Sequence, residues 1–117
     1  MASDTHHEPP ELLSGETREM HRALLSLGEE LEAIDWYQQR ADACADPELK
    51  AVLLHNRAEE IEHAAMLMEW VRRRDGHFGQ MLKTYLFTEA PIAGVEKAAG
   101  AAGPAIESLG IGSMRGK

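Results

Sequence analysis

The chain has 117 residues, with 12 Lys and Arg against 20 Asp and Glu, a formal charge of −8 with its six histidines neutral. That length suits one small domain, and the acidic balance argues against a nucleic-acid or anionic-membrane surface, both of which need a basic face to replace counterions. No apolar run approaches the roughly 18 residues of a membrane span, the N-terminal MASDTHHEPPE lacks a signal-peptide pattern, and the lone Cys44 can form no internal disulfide. A reducing cytoplasm is the expected setting.

Residues 1–11 read as a mobile acidic leader, with His6 and His7 as adventitious metal catchers. A first long helix is expected over 12–44. Met20, Leu24, Leu27, Leu31 and Ile34 recur there at spacings of four and three, as in the seam of a bundle helix, with Gly28 a local weakness. His21 and His55 lie off the main stripes and are expected to be exposed. Asp46 suits an N-cap and Pro47 the first helical position, so a second helix is predicted over 47–74, with Leu49, Leu53, Ala64, Leu67, Met68 and Val71 as its stripe. Gly76 follows, and 77–87 reads as a shorter third helix weakened by Gly79. No segment alternates as a strand does.

The fold class is therefore all-α: an antiparallel two-helix hairpin plus a short third helix, forming a domain over 12–87. Two single-stripe helices make a seam rather than a core. The expected solution is a two-fold dimer, in which two hairpins build a four-helix bundle. The last thirty residues carry six of the ten glycines and balance three acids with three bases, so 88–107 reads as a flexible Ala/Gly-rich linker. Residues 108–117 place Leu109, Ile111 and Met114 among glycines and serine, a pattern that can lie extended in a partner's groove or form a disordered tail.

Three polar residues sit where apolar ones belong. Glu60 is seven residues from both Leu53 and Leu67, near the centre of the second stripe, and His63 follows one turn later to complete a Glu-x-x-His. Glu30 lies inside the apolar arc of the first helix, three after Leu27 and four before Ile34. An unpaired interior carboxylate costs several kcal/mol, so each must be protonated, paired or bound to metal. Taken singly, each is more often bland: Glu60 paired with Arg57, His63 a hydrogen-bonded edge histidine, Glu30 a solvated edge. Together they are one Glu and one Glu-x-x-His, half of the ligand set of a di-metal carboxylate bundle, in a chain that is half a bundle. Glu29 and Glu32 fall on the opposite face with Leu25 and Trp36, which reads as a further subunit contact.

The stretches 29–37, 55–64 and 84–89, together with the Ser-Leu-Gly-Ile-Gly-Ser tail, closely resemble encapsulated ferritins. The resemblance implies a ferritin-like four-helix bundle and a ring oligomer, a pentamer of dimers or decamer. It further implies a ferroxidase centre between two chains, with Glu30, Glu60 and His63 holding and oxidising iron. Glu29 and Glu32 match a secondary metal site at the entrance, and Trp36 and Tyr37 match aromatics close to these sites. Leu109, Ile111 and Met114 match an encapsulin-targeting peptide. Iron, as a di-iron centre, is the implied metal, with Ca²⁺ or Zn²⁺ as alternatives at the same or entrance sites and oxygen or peroxide as oxidant. The implied place is the cytoplasm, inside an encapsulin nanocompartment where the iron is stored. Two rivals stay open: a metal-sequestering bundle that does not catalyse, and a structural cargo protein whose Glu30, Glu60 and His63 only set register.

Overall fold

A computed structural model describes residues 6–96. It is all-helical: α1 spans Gly15–Ala43, α2 spans Pro47–Arg74 and α3 spans Gly76–Tyr85, with short 3₁₀ turns at Pro10–Leu12 and Ile92–Gly94. Among the described residues there is no strand, and no helix is long and apolar enough to cross a membrane. The expected tail contacts of Leu109, Ile111 and Met114, and most of the linker, lie outside the described residues.

Local chemistry sets the helix ends. The first helix starts at Gly15 rather than Leu12 because Ser14 accepts a hydrogen bond from the Thr17 backbone N–H at 3.0 Å, so the preceding Pro10–Leu12 closes its own tight turn. Cys44 is extended, ending α1 at Ala43. Asp46 accepts from the Leu49 N–H at 2.8 Å and so caps α2, with Pro47 in the first turn as the sequence predicts. Asp75 does the same for α3 through the Phe78 N–H at 2.9 Å.

The chain divides into two compact units, Met1–Trp70 and Val71–Lys117. In the first, the three-residue break at 44–46 returns α2 against α1 as an antiparallel hairpin. Its most buried members are Ala23, Leu27 and Ala41 of α1 and Ala64 of α2, whereas Leu24 and Leu31 are 45% and 51% exposed. The seam is thus rotated from the expected leucine row towards the row that contains Ala23 and Glu30. Small residues there let the helices approach closely, and the displaced leucines join Leu49, Val52, Ile61 and Met66 as exposed apolar surface.

In the second unit Val71 and Val95 are buried, so residues just beyond the Ile92–Gly94 turn are packed. Gly79 is a close approach: a Cβ there would meet the Arg72 carbonyl oxygen at 3.0 Å. Gly79→Ala should therefore lower stability by about 1–3 kcal/mol, as overpacking does, despite alanine's better helix propensity. Thermal unfolding checks this. An unchanged or raised midpoint would mean that the Arg72 carbonyl yields freely.

Candidate metal centre

Glu30 is placed by α1, and Glu60 and His63 by consecutive turns of α2. Positions 30 and 60 lie on opposite sides of the 44–46 break at matching distances along the chain, so antiparallel return brings them level. Each side chain offers a ligand atom within 4.8 Å of the other two, the one such group of three among the described residues. His63 Nδ1 lies 3.2 Å from Glu60 Oε1 and 3.5 Å from Glu30 Oε1. The Glu30 and Glu60 side chains are about a quarter exposed (24% and 23%) and His63 46%, so the group is reachable from solvent but partly screened.

Two acids this close cannot both ionise freely. The Glu30 carboxyl is raised above its ordinary value, chiefly because it donates a hydrogen bond to Glu60 and then because of burial. Glu60 is lowered, chiefly by accepting that bond, with His63 adding to the effect. His63 is raised, chiefly by its hydrogen bond to Glu60. The charge-stabilising partners of Glu60 are thus Glu30 and His63, not Arg57, whose buried Nε has no hydrogen-bond partner. Two carboxylates and an imidazole are hard and borderline donors of the kind that suit Fe(II) and Zn(II). Three such donors are too few to hold two metal ions within one chain.

The other expected residues stand apart. Glu29 is exposed and Glu32 half-buried on α1, and neither belongs to the group of three. Trp36 is 48% exposed and Tyr37 half-buried. Arg40, which the sequence reading passed over, lays its guanidinium 5.9 Å from the Trp36 ring centre and 5.4 Å from that of Tyr37. The signal for it was available in the spacing, since 36, 37 and 40 share one helical turn. His21 is half-buried against His6 rather than exposed as expected.

Comparison with known proteins agrees with this architecture. The EncFtn-like family matches residues 5–89. An encapsulated ferritin-like protein of Rhodospirillum rubrum is 52% identical over 128 aligned positions, covering 99% of this chain and 91% of that protein. A ferritin-like protein of Thermotoga maritima is 48% identical, covering 81% and 83% respectively. A crystal structure of a Nitrosomonas europaea protein superposes with a TM-score of 0.73 at 64% identity, over 75% of this chain and 97% of that one. An all-helical hairpin carrying a Glu and a Glu-x-x-His, matched over most of its length by these relatives, belongs to the EncFtn-like family.

Proposed function

We propose that this chain is the subunit of a ferroxidase, with Fe(II) as substrate, and that it works inside an encapsulin compartment in the cytoplasm. The observation that carries this reading is the convergence of Glu30, Glu60 and His63 on a hairpin that cannot bury its own apolar surface. A two-fold partner would cover Leu24, Leu31 and their neighbours and contribute a second Glu30, Glu60 and His63, completing a di-iron centre. Ring assembly of five such dimers into a decamer belongs to the same reading.

Two Fe(II) ions held together supply two electrons to dioxygen or peroxide. The chain's own residues supply the rest. Glu30 and Glu60 provide negative charge that favours Fe(III) over Fe(II), and His63 provides the neutral donor. Glu30 yields its shared proton as iron arrives, and Glu60 is ready as a carboxylate. Exposed Glu29 and half-buried Glu32 would gather cations at an entrance site, in keeping with the net charge of −8. Trp36 and Tyr37, which lie under Arg40, would line its surroundings. Zn²⁺ or Ca²⁺ could occupy the same donors without turnover. Leu109, Ile111 and Met114 would anchor the tail to the shell, a role supported by the encapsulated relative, whose similarity extends over 99% of this chain.

The test is the initial rate of aerobic Fe(II) oxidation by the purified full chain against buffer. A rate well above buffer, saturating in iron, supports the ferroxidase. A buffer rate with stoichiometric metal still bound would assign the sequestering role instead.

A further inference from the structure

Among the described residues outside the Glu30–Glu60–His63 group, a pair of metal-competent side chains comes together from separate elements of the chain. His6 in the leader and His21 on α1 meet edge to face, with ring centres 4.6 Å apart and planes inclined at 64°. The leader segment 9–13 is tied to α1 by hydrogen bonds. Pro9 sets an extended entry to the Pro10–Leu12 turn, the Pro9 and Pro10 carbonyls accept from the Leu12 and Leu13 N–H groups at 2.9 and 3.0 Å, and Arg18 donates to the Pro10 carbonyl at 2.8 Å. That last bond ties the leader back along the first turns of α1, so that residues 15 apart in sequence meet.

We infer that His6 and His21 form a second, two-imidazole cation site, independent of the Glu30–Glu60–His63 group and selective for borderline divalent ions of the Cu²⁺, Ni²⁺ and Zn²⁺ class. An imidazole nitrogen binds such an ion at about 2.0 Å, so two rings on one ion at right-angled to tetrahedral angles have centres between about 4.4 and 5.1 Å apart. The observed 4.6 Å lies within that span, and the steep inclination keeps the rings from stacking face to face. The donor chemistry differs from the carboxylate-rich group: two neutral nitrogens with no carboxylate required favour the later first-row ions over Fe(II). Glu8 and Glu11 follow His6 within five residues of sequence, so negative charge that favours a cation is close along the chain. Remaining coordination positions are left to water.

The test uses the full chain without an affinity tag, Cu²⁺ as the probe, and electron paramagnetic resonance with equilibrium titration at neutral pH. His6→Ala and His21→Ala should each lose about one Cu²⁺ equivalent per chain together with its two-nitrogen signature, and the double variant should lose no more than either single one. His6 lies outside α1, so His6→Ala keeps the test valid if His21→Ala perturbs the helix. Retention of that copper by either single variant, or twice the loss in the double variant, would overturn the paired site. Copper lost from the Glu30–Glu60–His63 group would instead follow Glu60→Ala and leave this signature in place.

Discussion

Glu60→Ala is expected to lower aerobic iron oxidation by at least about 100-fold, since losing groups that merely orient metal ligands already costs 10–100-fold. Glu60 is the acceptor at the middle of the group: it takes a hydrogen bond from Glu30 and another from His63. In a two-fold centre one substitution removes two ligands at once, so the loss should exceed that of a single-ligand change elsewhere. Glu60→Gln separates charge from shape. It keeps the volume and a hydrogen-bond acceptor but not the carboxylate, and should lose the rate as fully as the alanine. Neither variant should unfold the hairpin, because the Glu60 side chain is 23% exposed and removes no buried apolar area. Stopped initial rates with far-ultraviolet circular dichroism on the same samples check both halves. A glutamine variant at wild-type rate would move oxidation to another site and leave Glu60 a register device.

The meeting of Glu30, Glu60 and His63 was legible because its signal is a conflict. Glu30 and Glu60 break apolar stripes whose period is otherwise regular, and a buried carboxylate demands a partner. The helix start at Asp46–Pro47 was legible for a local reason, since capping depends on three or four neighbouring residues, whereas at the next boundary only the break at Gly76 was read and not the Asp75 cap. The orientation of the seam was not. Leucine spacing pointed to Leu24 and Leu31 beside Leu27, and the hairpin buries Leu27 and the expected Ala64, but with Ala23 and Ala41 in place of Leu24 and Leu31. Close helix approach selects small side chains, and periodicity alone does not distinguish the surface facing the second helix from one left for another partner. The His6–His21 contact was also hidden, because it depends on the Arg18–Pro10 bond folding the leader back. Gly79 looked like a weak point in α3, yet its missing Cβ is what lets the Arg72 carbonyl lie so near.

Metal affinity at the Glu30–Glu60–His63 group should rise with pH, and protons should be released on binding. Metal must displace the proton that Glu30 shares with Glu60 and the proton on His63, and both groups hold theirs above the ordinary range. Stability of the metal-free fold runs differently. The raised His63 contributes stability that is complete below its unfolded value and is lost as pH rises through its folded value. The lowered Glu60 contributes stability present above its unfolded value and lost as pH falls through its folded value, while the raised Glu30 opposes folding once its unfolded value is passed. The metal-free protein therefore gains most from this group between the carboxylate and imidazole ranges. The metal-bound form gains most above them, where no proton competes. The increase in thermal midpoint caused by redox-inert Zn²⁺ should accordingly be small near pH 5.5 and grow through about pH 8, spanning the ordinary imidazole value of about 6.5. His63→Ala should flatten the upper part of that rise, and Glu30→Gln its acid part. A Zn²⁺ shift independent of pH in the wild-type chain would place the bound ion on groups other than these three.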